Sequence, residues 1–392
     1  MIYLVGEAFF DEAKTKRRLA EFVRTAKRFS FDQECKRFEA AFASWQGRKH
    51  AVFMSSGSTA NFALIQALCN LGRLKRGDKV GFSAVTWSTN VMPLISLGLV
   101  PIPIDIELDT LNISSKNVEQ AIRKYSLKAV FVTNLYGLSH DLGRIQRVCK
   151  KHKVMLLEDN CESLGSAEGK TLLGNFGLAS TFSFFIGHHF STIEGGMVCT
   201  DDSVLADALR ITRAHGWDRH LSPESQRKLR AANKIDSFYG LFAFYDIGHN
   251  FRPTEIQGFL GNTQLRFLDS IVSSREKLYK EFARVLKKGK DYSTPRFSHM
   301  KTFSAFCFLI ICSSQEAKRR LLALCEGKIE TRPIAGGNMV TQPFFRKYFP
   351  QAHKRYPCPN AAYIHEHGIF LPIYARMNTK DKKTILQLLK SL

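Results

Sequence analysis

Thr181-Phe182-Ser183-Phe184-Phe185-Ile186-Gly187-His188-His189-Phe190-Ser191-Thr192-Ile193-Glu194-Gly195-Gly196 starts as an apolar run and presents two adjacent histidines before turning through Glu-Gly-Gly. The pattern reads as a strand that ends in polar residues and returns into another strand. Neighbouring side chains in an extended stretch point to opposite faces. His188 and His189 are therefore not read as sharing a metal; one faces a site while the other packs or caps. The surroundings of this strand identify the architecture. His50–Met54, Val80–Ser83, Pro101–Ile106, Ala129–Thr133, Val154–Leu157, Thr181–Phe185 and Met197–Thr200 read as short apolar strands. Helical patterns fall between them at Thr59–Leu71, Thr89–Leu97, Ser115–Tyr125 and Leu142–His152. This alternation predicts an α/β chain with a parallel or mixed sheet covered on both faces. In such sheets ligands sit at the carboxyl ends of the strands, where the unusual residues of this chain fall.

Outward from that centre, residues 11–28 and 31–46 read as amphipathic helices anchored by Phe22, Phe29, Phe38, Phe42 and Trp45. Beyond Asp201 a helix runs to about Ala214, and the polar stretch Leu221–Ser237 reads as a loop. The glycine- and aromatic-rich passage Phe238–Pro253 leads into one long helix from Thr254 to about Leu286. Residues 287–392 alternate strands and helices as a smaller α+β unit. The expected division is a large domain, 1–250, with the N-terminal helices, and a small C-terminal domain, 251–392.

The chain has 392 residues, enough for such a pair, with 44% hydrophobic and 23% charged residues. No apolar run reaches the length of a membrane span, and the N-terminus carries acids before bases, the reverse of a secretory leader. Nine scattered cysteines without a C-x-x-C pair read as reduced thiols, so a cytoplasmic location is expected. The net charge is +22, but its clusters, such as Lys14–Arg18, Lys287-Lys288 and Lys318–Arg320, are spread along the chain. That spread fits solvated helix faces, with some attraction for an anionic ligand, better than a nucleic-acid footprint.

Three segments carry chemistry. Ser55-Ser56-Gly57-Ser58-Thr59-Ala60-Asn61 follows a strand and opens a helix, combining a tight turn, hydroxyls and free N–H groups in a phosphate cradle. A plainly capped helix start has the same letters. Leu156-Leu157-Glu158-Asp159-Asn160-Cys161-Glu162-Ser163 ends an apolar strand in carboxylates, which suit a protonated ring nitrogen, a metal or merely a turn. The histidine segment is the third.

In this order the three segments resemble the DegT/DnrJ/EryC1/StrS family of pyridoxal phosphate (PLP)-dependent sugar enzymes. That family has a serine-glycine phosphate loop, an acidic strand end, an SFxxxK segment and a G[ED]GG turn. The resemblance spans about Phe31 to Arg332, and Gly248-His249-Asn250-Phe251-Arg252-Pro253-Thr254-Glu255 is similar to a further family motif, GYNxRxxE. It implies PLP-dependent transferase fold type I, the aspartate aminotransferase type, with a seven-stranded mixed sheet, working as a homodimer. It also implies that Gly57, Ser58 and Ser183 hold the cofactor phosphate, with Asn250 reaching it from a partner subunit. Trp87 would stack on the pyridine ring, and Asp159 would bind the ring nitrogen. Glu162 stands where most relatives have glutamine near the ring hydroxyl, leaving its protonation state open.

The departure from the family pattern is informative. His188 occupies the position of the lysine that bonds the cofactor covalently. Imidazole forms no such bond, but it titrates near neutrality and can act as acid and base. A subset with this histidine, the pyridoxamine phosphate (PMP)-dependent sugar 3-dehydratases, is also similar in SSGSTAN, LEDNCES, Arg213-Ala214-His215-Gly216-Trp217 and Arg332-Pro333-Ile334. The resemblance implies removal of the C3 hydroxyl from a nucleotide-linked 4-keto-6-deoxy sugar, with GDP-4-keto-6-deoxy-D-mannose as the first candidate. L-Glutamate would regenerate PMP. His215, Arg219, Arg252 and Arg332 are candidate substrate contacts, the last two for carboxylates. A sister group carries an iron–sulfur cluster on cysteines beyond the histidine; the interval from Cys199 to Cys307 has none, so no cluster is expected. The competing readings are a sugar 4-aminotransferase and a non-catalytic protein of the same fold.

Overall fold

A computed structural model describes residues 1–286 and 290–392; the Lys287-Lys288 cluster lies outside the described residues. Helices α1 (Glu12–Thr25) and α2 (Gln33–Gln46) lead into β1 (His50–Met54) and α3 (Gly57–Asn70). Next come β2 (Lys79–Ser83), α4 (Met92–Ser96), β3 (Val100–Ile104), α5 (Ser115–Tyr125) and β4 (Ala129–Thr133). The chain continues through α6 (Leu142–His152), β5 (Met155–Asp159) and the small hairpin β6 (Ala167–Glu168) and β7 (Thr171–Leu172). Strands β8 (Ala179–Ser183) and β9 (Gly196–Thr200) complete a seven-stranded sheet of order β1-β9-β8-β5-β4-β2-β3. Only β9 runs against its neighbours, so the sheet is mixed.

Helix α7 (Ser203–Arg213) packs with α3 on one face, over Val52, Leu64, Phe131, Leu157, Val198 and Leu209. Towards the β1 end of the other face, Phe38, Phe42, Phe53, Phe182 and Phe184 form an aromatic core. Phe38 and Phe42 are the fully buried anchors of α2; Phe22 instead stacks on Phe259 at 4.5 Å, and Phe29 stays exposed.

After α8 (Pro223–Ala232), helices α9 (Glu255–Leu265) and α10 (Leu268–Val285) lead to β10 (Tyr292–Ser293), β11 (Phe308–Cys312) and α11 (Gln315–Cys325). Then follow β12 (Arg332–Pro333), α12 (Pro343–Tyr348), α13 (Ala352–Arg355), α14 (Pro359–His367), β13 (Gly368–Leu371) and α15 (Thr379–Ser391). Strands β10-β11-β13-β12 make an antiparallel four-stranded sheet. Glu255, at the start of α9, accepts from the amides of Asp32, Glu34 and Cys35 and so ties α9 to α2.

Four expectations are corrected. Leu221–Ser237 is not a loop throughout: Ser222 caps α8, Pro223 and Glu224 open it, and no α8 residue is buried. A helix without an apolar face leaves no periodicity to read. The single helix expected over 254–286 breaks at Arg266–Phe267, where the Phe267 ring packs on Phe10 at 4.8 Å. The helix expected over 89–97 is a 3-10 turn, Ser88–Asn90, followed by α4 with Pro93 in its first turn. The strand expected over 181–185 lies at 179–183, because Phe184 and Phe185 already belong to the turn that carries the histidines.

On the surface, Lys14, Lys16, Arg17 and Arg18 sit on the exposed side of α1, as solvated helix faces require. All nine cysteines are free thiols. Among the described residues no helix is long and apolar enough to cross a membrane.

Candidate active site

Strand ends converge on one place. β1 runs into Ser55–Gly57, β2 into Trp87, β5 into Asp159–Glu162, and β8 into Ser183 and His188. At the start of α3 a capping box joins Ser56 and Thr59: the Thr59 amide donates to Ser56 Oγ (3.1 Å) and the Ser56 amide to Thr59 Oγ1 (2.9 Å). The amides of Gly57 and Ser58, in the first turn, have no helical acceptor and sit at the positive end of the helix dipole. Gly57 is required by close approach: a Cβ there would lie 2.5 Å from Ser183 Cβ and 2.8 Å from Ser183 Oγ. Gly196 backs the same turn, where a Cβ would overlap the Ser56 carbonyl. The serine-glycine segment and the Glu-Gly-Gly turn, 139 residues apart between these two glycines, thus build one cradle.

The three acids of the β5 end have different tasks. Glu158 is fully buried and accepts from the amides of Gly174 (2.7 Å), Phe176 (2.8 Å) and Gly177 (2.7 Å), a structural role. Asp159 points to the other face. Its Oδ2 accepts from Asn61 Nδ2 (3.0 Å) and Asn90 Nδ2 (2.6 Å), and its Oδ1 from the Cys161 amide (2.8 Å). Glu162 accepts from the Tyr136 amide (3.1 Å); burial first, then the charge of Asp159, pushes its carboxyl up to about 8. It is therefore neutral at physiological pH.

His188 is half-buried, its ring edge-on to Phe306 (5.3 Å) and Phe185 (6.0 Å). Desolvation lowers its imidazole to about 4; Arg275 acts in the same direction, and the Ser183 and Cys161 backbone and Asp159 oppose it. His189 is buried on the other side, with Nε2 3.1 Å from the Ser304 carbonyl. The two rings part as expected, but they do so in the bend after β8 and not in an extended stretch.

Trp87 is 54% exposed at the β2 end, in the turn that also carries Asn90 to Asp159. The structure thus brings Gly57, Ser58, Trp87, Asp159, Glu162, Ser183 and His188 to adjoining strand ends. A second cluster lies beyond the β1 edge. Trp217 has Arg219 over its ring at 3.8 Å, Arg252 at 5.2 Å, and His215 edge-on at 4.8 Å. Asn250, exposed, is bridged to Ala214 in this second cluster rather than in its own chain's cradle. Arg332 lies apart on the edge strand β12, paired with Glu330 at 2.8 Å.

The sequence reading did not assign Asn61, Asn90 or Arg275. Arg275 left a signal, since it interrupts the apolar stripe Ile271, Val272, Leu278, Tyr279; Asn61 and Asn90 left none, because only their burial marks them.

These residues fit a PLP-type cofactor. The cradle has the uncommitted amides a phosphate takes, Asp159 is a fixed carboxylate for a ring nitrogen, and His188 Nδ1 is buried without a hydrogen-bond partner. Among the described residues no group of three or more His, Cys, Asp or Glu is placed to hold a metal ion.

Known proteins share the family and the fold. The model of the DegT/DnrJ/EryC1/StrS aminotransferase family matches residues 11–390. The chain is 34% identical over 373 residues to GDP-4-keto-6-deoxy-D-mannose 3-dehydratase of Escherichia coli O55:H7, with 94% of each chain covered. A solved histidine-to-asparagine variant of a GDP-4-keto-6-deoxymannose-3-dehydratase, with bound GDP-perosamine, is similar at TM-score 0.89 and 31% identity over 100% of both chains. A structure of such an enzyme with a trapped PLP–glutamate geminal diamine is similar at TM-score 0.86 and 31% identity, again over 100% of both. Because the family match runs through every element that bears the site, from the first helix to the last, the chain belongs to the DegT/DnrJ/EryC1/StrS aminotransferase family.

Proposed function

We propose that this protein is a PMP/PLP-dependent 3-dehydratase of a nucleotide-linked 4-keto-6-deoxy sugar, GDP-4-keto-6-deoxy-D-mannose first, with L-glutamate as amino donor. The observation that carries the reading is the His188 imidazole at the β8 end, beside the Ser183 backbone and the Asp159 carboxylate. When bound, PMP supplies an amino group for the C4 ketone and a pyridinium that accepts electron density. The amides of Gly57 and Ser58 and the Ser183 hydroxyl hold its phosphate. Asp159, clamped by Asn61 and Asn90, holds the proton on the ring nitrogen, and neutral Glu162 is a donor for the ring oxygen. Trp87 offers a ring face for stacking. His188 is neutral at pH 7 and so begins as a base; once protonated, it gives that proton to the hydroxyl leaving C3.

The same reading makes the protein a homodimer, and its scattered free thiols suit the cytoplasm. The support for the dimer is the segment Phe238–Ile247, whose Phe238, Phe242 and Phe244 are 82%, 70% and 62% exposed beside the Trp217 cluster. In a dimer, that segment and Asn250 would meet the partner's site. Arg252, free of Glu330, is the better of the two arginines for a substrate carboxylate. The division into 1–250 and 251–392 belongs to this proposal, supported by a four-stranded sheet drawn wholly from residues 292–371.

The amino group tests the reading. With nitrogen-15 glutamate and GDP-4-keto-6-deoxy-D-mannose, the label should appear as ammonium and the product should lack the C3 oxygen. A stable labelled amino sugar that keeps its C3 hydroxyl would establish the aminotransferase reading instead.

A further inference from the structure

Helix α10 carries an arginine into the core. Arg275 is 5% exposed, and one nitrogen, Nη1, donates to the carbonyls of Ala305 (3.2 Å), Phe306 (2.9 Å) and Ile373 (2.9 Å). The other, Nη2, donates to the carbonyl of His188 (3.3 Å). Nε is buried without a partner, and no carboxylate among the described residues pairs with this guanidinium. Its four acceptors come from three places: the turn after β8, the approach to β11, and the segment after β13.

A buried cation is normally paired with an acid, because desolvation disfavours an isolated charge. Tying carbonyls together does not require a charge. An unneutralised one is kept here, next to the imidazole that the reaction uses, and Arg275 and His188 line the same cavity.

We propose that Arg275 is a positioning residue for His188: it fixes the His188 peptide through its carbonyl and stands behind the imidazole as a positive charge that makes no ion pair among the described residues. The proposal rests on the reading of His188 as the proton carrier. The other groups facing His188 are Asp159 and Cys161 from the β5 end, His189 from its own turn, and Glu7 and Arg376 across the cavity. Glu7 and Arg376 lie 3.8 Å apart and largely offset one another, and His189 is held neutral by burial first and by Arg275 next. The charges that bear on the imidazole are therefore Asp159, which favours its protonation, and Arg275, which opposes it. The arrangement suits a base that must begin without a proton and release it again.

Two substitutions separate position from charge. Arg275→Lys keeps the charge but loses the fork that reaches several carbonyls. Arg275→Gln loses the charge. The readout is the His188 titration in cofactor-free protein by NMR, assigned through its loss in His188→Asn, together with kcat and KM of the loaded enzyme. Arg275→Gln should raise the His188 pKa by about one unit and carry the acid limb of kcat with it. Arg275→Lys should leave that pKa in place and lower kcat about tenfold with KM little changed. An unmoved titration in Arg275→Gln, or loss of melting temperature alone in both variants, would overturn the proposal. Should Arg275→Gln not fold, Arg275→Lys decides: a kcat equal to that of the wild type, with the carbonyl fork lost, overturns the positioning role. The NMR titration uses no sugar, so its failure is distinct from failure of the dehydratase reading, which the nitrogen-15 product reports.

Discussion

Replacing Glu162 by glutamine should stabilise the cofactor-free protein, by an amount that grows with pH. In the folded chain this carboxyl is pushed up to about 8 by burial, with Asp159 adding and the Tyr136 amide opposing; its ordinary value is 4.5. Below the ordinary value both folded and unfolded chains hold the proton, and the buried carboxyl costs nothing extra. Between the two values the unfolded chain has released a proton that the folded chain retains, so stability falls as pH rises, by about 1.4 kcal/mol per unit. The loss accumulated by the top of that window is roughly 3–5 kcal/mol. Glutamine has the shape of the neutral acid and can still accept from the Tyr136 amide (3.1 Å in the parent), so it is spared this loss. Other titrating groups are common to both proteins and cancel in the difference. Thermal melts from pH 5 to 9 should show the variant ahead by under about 1 °C at pH 5 and by about 5 °C at pH 8.5, given the unfolding entropy of a chain this size. A constant gap, or a variant less stable at pH 8.5, would mean that Glu162 is ionised in the folded protein and that its proposed donor role is wrong.

His188→Asn should retain cofactor and nucleotide sugar while kcat falls at least about a hundredfold, measured by product formation. His189→Asn should keep kcat within a few-fold and cost about 1–3 kcal/mol of stability, since it loses a buried bond to the Ser304 carbonyl; equal catalytic loss in both would show that both rings act. Gly57→Ala should weaken cofactor binding at least about tenfold in an absorbance titration, because its Cβ falls 2.5 Å from Ser183 Cβ. Unchanged binding in Gly57→Ala would refute the close approach. Borohydride treatment of the PLP form should leave no pyridoxyl group on a lysine, read by peptide mass spectrometry; a labelled lysine peptide would show that another residue takes the covalent role.

The sequence by itself determined the α/β class, the order of the strands along the chain and the polar residues at their ends. These features are written locally: buried strands are short apolar runs, and the phosphate turn and its helix cap are set by residues within a few positions of one another. Strand spans such as His50–Met54 and Ala129–Thr133 agree with the structure for that reason. His188 was singled out over His189 by its place in the motif, while the burial of His189 against Ser304 needed a segment 115 residues away. Only the tertiary structure decided what depends on distant partners. It sorted Glu158, Asp159 and Glu162 by the amides and side chains each one meets, and it made Glu162 neutral by excluding water. It broke the helix expected over 254–286 where Phe267 found Phe10, and built α8, whose lack of an apolar face had hidden it. It also placed Arg275 behind His188, across 87 residues of sequence. The division has one physical cause: secondary structure follows from neighbours along the chain, whereas desolvation and pairing of charges depend on neighbours in space.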